Sequence, residues 1–256
     1  MSHTVSDTPR LSAPPDDLGA ARVADLARDF PATIRVFQRH QIDFCCGGKR
    51  SVADAAARAR VELPALVDEI RGALASEGGG NAAWLCSLPE SLADLGKLIV
   101  GRYHVALRAD LPRLVAMADR VEKVHGAELP HILPPLAATV RDLAAELDSH
   151  MREEEDGLFP AIERLERAAR EGLPPQSTDL EALVSAREDE HTAAGEHLAT
   201  LRRLSDDFAP PEWACNTFRG LYHGLAQLER ELHEHIHLEN NVLFPRALSL
   251  AGRETA

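Results

Sequence analysis

Aromatic side chains are scarce in this sequence, at 4% of 256 residues, which argues against a sheet-rich fold because strands draw on aromatic and β-branched residues. Cysteine is scarcer still. There are four, two of them adjacent (Cys45 and Cys46), too few for a disulfide scaffold and in keeping with a reducing compartment. Positive charge is also short: 28 Lys and Arg stand against 41 Asp and Glu, and the net charge of −13 excludes nucleic acid as the main partner. No apolar run reaches the ~20 residues that span a bilayer, so no membrane segment is expected. The opening MSHTVSDTPRLSAPPDD lacks the apolar core of a signal peptide, and a cytoplasmic protein is the expectation.

What the chain does have is Ala, Leu, Arg and Glu, a composition that favours helices. An all-α fold is predicted, divided along the chain by its punctuation. Residues 1–15, rich in Ser, Pro and Thr, read as a disordered leader. Residues 16–76 read as a small helical domain interrupted by DFCCGGKRS, with Ser51 placed to cap the helix that follows. SEGGGN opens a linker over 77–88. Residues 89–250 read as four long antiparallel helices, broken at GAELPHILPP, EGLPPQSTD and APPEWACNT.

Within those four helices a motif occurs twice in one register: HMREEEDGLFP from His150 and HIHLENNVLFP from His235. Each has a Glu four residues after its His, then Phe-Pro, and each has a further Glu four residues before the His. The apolar seams step by three and four. They carry His104 on the first helix, His150 and Glu154 on the second, His191 on the third, and His235 and Glu239 on the fourth. Residues i and i+4 lie about 40° apart around a helix, so each His–Glu pair points one way. Two buried carboxylates would repel, and two divalent cations would neutralise them. The predicted site is two metals about 3.5–4 Å apart, bridged by both carboxylates, with two histidines on each. Zinc and manganese accept such ligands too; mixed nitrogen and oxygen ligation without cysteine in a dinuclear bundle favours iron.

The remaining polar residues are expected elsewhere. Glu146 and Glu231, one turn before the ligand histidines, read either as partners that orient those rings or as solvated glutamates. His237 lies about 200° around the helix from the seam and is expected at the surface. Phe159 and Phe244 are expected to pack below the site, with Pro160 and Pro245 perturbing the last helical turn. His125 shares a seam with His104 but lies roughly 31 Å further along a continuous helix, which excludes it as a co-ligand. His40, His131, His197, His223 and His233 fall off the pattern and take ordinary surface or capping roles.

DFCCGGKRS followed by a His/Glu bundle ending in HIHLENNVLFP resembles the di-iron iron–sulfur cluster repair proteins, the RIC family. RYH, RVEKVHG, SHMREEE and PPEWACNTFRGLY extend the likeness over nearly the whole chain. The resemblance implies a hemerythrin-like four-helix bundle behind a Cys-Cys-Gly-Gly domain. It implies a cytoplasmic stress protein, induced by nitric oxide or oxidants, that restores damaged iron–sulfur proteins by supplying iron. The family's ligand pattern falls on His104, His150, Glu154, His191, His235 and Glu239, and His125 matches a histidine typical of the family. Members are often homodimers. The long connection between the second and third helices and the extended leader depart from the pattern without touching a ligand.

Cys45 and Cys46 are too close in sequence for an unstrained disulfide. Beside Lys49, Arg50 and glycine amides the thiols are expected to be acidified, able to receive iron, relay electrons or form an intermolecular disulfide; the alternative is two small residues packed in a turn. Inert packing is expected for Cys86 and Cys215. Besides iron supply, two functions stay open at the same centre: an O2- or NO-binding buffer or sensor, and a di-iron NO reductase.

Overall fold

A computed structural model describes residues 14–75, 88–173 and 179–252. The first thirteen residues of the expected leader, the Gly-rich linker from 76 to 87 and Cys86 lie outside them. The chain divides into two units, Met1–Ser87 and Leu88–Ala256. Among the described residues both are helical with no strand, and no described helix is long and apolar enough to cross a membrane.

The first unit packs four short helices: α1 (Val23–Asp29), α2 (Ile34–Arg39), α3 (Val52–Ala59) and α4 (Leu63–Ala75). Leu26, Phe37, Phe44, Val52, Leu66 and Ile70 form its core. Ser51 caps α3 by accepting from the Asp54 amide at 3.1 Å. The Cys-Cys-Gly-Gly turn is clamped to the start of α1, where the Ala24 and Val23 amides donate to Gly48 and Arg50 carbonyls at 2.9 and 3.0 Å. Gly48 is needed there because a Cβ would fall 2.7 Å from both the Ala24 Cβ and the Phe44 carbonyl oxygen.

The second unit is the four-helix bundle. Its first helix runs through α5 (Leu92–Ile99), a π-turn at Val100–His104 and α6 (Val105–His125). The second joins α7 (Leu133–Glu153), a π-turn at Glu154–Leu158 and α8 (Phe159–Glu171). The third is α9 (Leu180–Leu204). The fourth joins α10 (Asn216–Leu238), a π-turn at Glu239–Leu243 and α11 (Phe244–Gly252). Helix α6 packs on α7 and α10, and α9 on α7 and α10, which closes the ring. Glu166 reaches back from α8 to bond the Leu92 and Ala93 amides at 2.8 and 3.1 Å, satisfying donors that the start of α5 leaves open.

The π-turns correct one expectation. Pro160 and Pro245 do not stop their helices. Each stands in the first turn of a helix that resumes after a π-turn, where an absent N–H forfeits little. Pro112 likewise lies inside an unbroken α6.

The Gly48 contacts yield a stability test. Gly48→Ala should destabilise the first unit by roughly 1–3 kcal/mol, since backbone and a Cβ rather than a flexible chain end stand in the way. Urea denaturation of the full chain measures it, and an unchanged midpoint would refute the packing argument.

A buried centre of imidazoles and carboxylates

Among the described residues, all three π-turns fall at residues expected as ligands. His104 ends the first, Glu154 opens the second and Glu239 opens the third. Such turns insert an extra residue into a helix and are frequent at functional sites. The six residues singled out by spacing meet in the bundle interior, each at most 4% exposed. Their atoms form two overlapping groups: His104, His235, Glu154 and Glu239, and His150, His191, Glu154 and Glu239. Both carboxylates belong to both groups. Glu154 Oε2 lies 3.4 Å from His104 Nε2 and 3.3 Å from His150 Nε2. Glu239 spans the opposite pair, 2.9 Å from His235 Nε2 and 3.2 Å from His191 Nε2. Within each group the two Nε2 atoms stand 3.2 Å apart.

The outer nitrogens explain why these rings face inward. His104 Nδ1 donates to Glu155 at 2.7 Å, and Arg108 holds the same carboxylate at 2.8 Å. His150 Nδ1 donates to Glu190 at 2.7 Å, backed by Arg187, which also reaches Glu153. His191 Nδ1 donates to the Asn240 side-chain oxygen at 2.8 Å. With Nδ1 carrying the proton, Nε2 presents a lone pair to the centre. His235 differs, for its Nδ1 is buried with no hydrogen-bond partner, and the Tyr103 ring stacks on it with centroids 5.2 Å apart. Phe159 stacks on His104 at 5.9 Å and Phe244 on His191 at 6.1 Å, so each Leu-Phe-Pro tail braces a ring from a neighbouring helix.

The centre is therefore built of acceptors. Neither oxygen of Glu154 receives a hydrogen bond, and Oε2 of Glu239 receives none. Buried carboxylates without donors require positive charge. The donor set fits a pair of cations: two nitrogens per group and two carboxylates shared between groups. In the protein alone, protons must supply that charge. Burial acts to lower the His150 pKa, but Glu154, Glu190 and Glu239 outweigh it and push it up to about 10. His104 is raised on the same balance, burial opposed by Glu154, Glu239 and Glu155. Burial acts to raise Glu239 too, yet His235 and His191 hold it well below the usual carboxylate range. Burial lowers His235.

Other expectations land differently. Glu146 bonds His197 at 3.1 Å on the surface, and Glu231 accepts from Gln227; neither touches the centre. The ring-orienting partners are instead Glu155, Glu190 and Asn240. Two of them immediately follow Glu154 and Glu239, so neighbours at i+1 were the available signal. His237 is not at the surface but 1% exposed, with its Nδ1 3.1 Å from Asn241 Nδ2. Every residue from His235 to Glu239 is buried: the fourth helix is surrounded there, not merely faced. His125 stands apart, against Trp213 and Phe218.

In the first unit Asp43 organises the cysteine turn. Its carboxylate accepts from the Cys45, Cys46 and Gly47 amides at 3.0, 2.9 and 2.7 Å. The two sulfurs lie 3.6 Å apart, within hydrogen-bonding reach of each other. Acidification fails for Cys45. The neighbouring Cys46, then burial, then Asp43 push its thiol well above the ordinary range. Asp43, Cys45 and Cys46 together form a small group able to hold a cation.

Residues 99–247 match the Hemerythrin HHE cation binding domain, and residues 19–74 match ScdA_N, a domain of unknown function. The chain is 40% identical over 231 residues to the iron-sulfur cluster repair protein YtfE of Yersinia pseudotuberculosis serotype IB (strain PB1/+), covering 90% of this chain and 96% of that protein. Identity and coverage are the same for the YtfE protein of Yersinia pestis (strain Pestoides F).

The proton balance is open to measurement. In metal-free protein, nitrogen-resolved NMR should find His150 doubly protonated up to about 10, and Glu190→Gln should bring that titration down. Titration of His150 near the ordinary value of about 6.5 would overturn the account.

Proposed function

Since the chain belongs to the YtfE family of iron–sulfur cluster repair proteins, we propose that its bundle holds two iron ions and that it repairs damaged iron–sulfur clusters by supplying iron. The single observation that carries the reading is the acceptor-only interior: two buried carboxylates shared by two pairs of histidines. His104, His235, Glu154 and Glu239 would hold one ion, and His150, His191, Glu154 and Glu239 the other. Bound iron would supply a redox-active, oxygen- and nitrogen-ligated ion that a damaged cluster can accept.

The chain's own part is to bind, orient and exchange charge. Glu155, Glu190 and Asn240 fix three rings through Nδ1, so their Nε2 atoms converge on the centre before any ion arrives. Phe159, Phe244 and Tyr103 cover the rings and exclude water. In the metal-free centre His104 and His150 would carry protons at Nε2, for both are raised by the buried carboxylates that a bound cation would otherwise neutralise. Cation and protons would thus compete for the same nitrogens, and the protonated interior would be left less charged than bare carboxylates. Soluble iron–sulfur proteins in the cytoplasm, damaged by nitric oxide or oxidants, are the proposed clients.

A second reading has an observation of its own. A cavity of about 320 Å³ lies between α5 and α8, lined mainly by apolar residues such as Leu92, Val100 and Leu243. Glu155 and Phe159, the two residues that hold the His104 ring, form part of its wall. A small apolar gas such as NO or O2 would find a mainly apolar approach there, to be bound or, with an electron donor, reduced.

Metal analysis of freshly purified protein decides the core of this. Wild type should carry about two irons per chain, and Glu154→Ala/Glu239→Ala should carry almost none. Wild-type protein free of iron, or a variant that retains it, would sink the reading. Glu155→Ala and Asn240→Ala should each weaken iron retention about 10–100-fold against a chelator. Because protons compete for the raised histidines, retention should fall progressively as pH drops below about 10, where His150 titrates; retention independent of pH would refute the coupling. Repair separates from gas chemistry by product: iron lost to an apo-cluster acceptor supports supply, and a reversible spectral change with iron retained supports gas binding.

A further inference from the structure

The far end of the bundle carries a second cluster of reactive groups, which the iron centre does not use. Helix α10 runs antiparallel to α6. His104 and His235 meet at one end of the pair, and at the other the last residue of α6, His125, meets the start of α10. About 20 residues of helix, roughly 30 Å, separate the two sites. The His125 ring lies 5.5 Å from the Trp213 ring and 5.9 Å from Phe218, which places it over the segment that carries Cys215. Glu128 holds its Nδ1 at 3.2 Å. Cys215 is an exposed free thiol in the capping position of the 23-residue α10.

We propose that Cys215, His125 and Glu128 form a reactive thiolate site that exchanges with low-molecular-weight disulfides of the glutathione class.

Three features converge on the sulfur. As a neutral thiol Cys215 makes no capping hydrogen bond, so the first amides of α10 remain without a side-chain acceptor. The Nε2 of His125 is buried and has no hydrogen-bond partner. A thiolate answers both needs, and the proton it gives up goes to the imidazole. The helix ends favour the same charges: an anion at the N-terminus of α10 and a cation at the C-terminus of α6. Glu128 then steadies the imidazolium through Nδ1, in the arrangement of nucleophile, base and orienting carboxylate. The charges act as this geometry requires. The Phe218 amide and then His125 draw the Cys215 thiol below its ordinary range, and His125 is raised in turn, by Cys215 first and, against burial, by Glu128. The other charged groups of the turn are Glu212 and Arg219, whose guanidinium folds back to the Glu212 and Ala214 carbonyls.

The chemistry balances without a further reagent. The Cys215 thiolate attacks one sulfur of the disulfide; the S–S bond breaks, a protein–glutathione disulfide forms, and glutathione leaves as a thiolate that is protonated from water. Trp213, 52% exposed beside the ring, offers an apolar ledge to the incoming molecule. Cys45 does not compete, for it is buried and held as a neutral thiol.

The test uses the full-length chain and oxidised glutathione, with the rate at each cysteine followed by peptide mass mapping. At neutral pH Cys215 should react about tenfold faster than a cysteine in an unstructured peptide, reflecting its larger thiolate fraction, and faster than Cys45. His125→Asn should remove most of that advantage and move the midpoint of the rate–pH profile upward. Glu128→Gln, which keeps the ring and its packing, should do so a few-fold and remains informative if the first variant fails to fold. A Cys215 rate equal to the peptide's, or a rate and midpoint unmoved by Glu128→Gln in folded protein, would overturn the proposal.

Discussion

Burying Glu154 and Glu239 side by side, with no hydrogen-bond donor to either oxygen of Glu154, is the constraint to which the rest of the bundle answers. A lone buried carboxylate is costly, and a close pair adds repulsion. The interior meets this with four inward-facing imidazoles, and the imidazoles in turn need their outer nitrogens satisfied. That need reaches the surface through Glu155 to Arg108 and through Glu190 to Arg187. A chain of charges of alternating sign thus runs from solvent to the centre, and removing any link exposes its neighbour. The aromatic rings close the remaining directions.

The six interior groups were legible because helical periodicity is a strong signal and the motif occurs twice. A His and a Glu four apart must share a face, and four seams with one histidine each can meet in only one place. The orienting partners were not legible in the same way. Glu146 and Glu231 sit one turn before the histidines, on the correct side but at the wrong height. Glu155 and Asn240 sit off their own seam and act on a ring of another helix, which no single-helix pattern reveals. Glu190, one residue before His191, also serves a different helix. His237 was misplaced because a seam describes one buried face, whereas α10 is enclosed on all sides near the centre. The π-turns were invisible for a related reason: their cause is the convergence of helices, not the local propensity of ENNVL or EEDGL.

The cysteine turn shows how local chemistry can mislead when burial is unknown. Nearby Lys49, Arg50 and glycine amides suggested acidic thiols. In the fold the Gly47 amide joins those of both cysteines on the Asp43 carboxylate, and Cys45 faces a second sulfur and the core. Cys215 lay in a family-like stretch, PPEWACNTFRGLY, that gave it no chemical role, and inert packing was the expectation. Only the antiparallel meeting of α6 and α10 sets a histidine beside it.

Helices two and four carry matching motifs, and helices one and three each supply one histidine, so the centre has an approximate twofold relation. Its outer groups break that relation. Glu155 on one side is answered by Asn240 on the other, and Tyr103 precedes His104 where Glu190 precedes His191. His235 is left as the one imidazole of the four whose outer nitrogen has no acceptor. Two identical cations held there would consequently be unequal in electron demand and in ease of departure, although their immediate donors are the same. The inequality is written into the neutral and charged residues one layer out, so chemical individuality can arise in a duplicated motif without any change to the residues that define it.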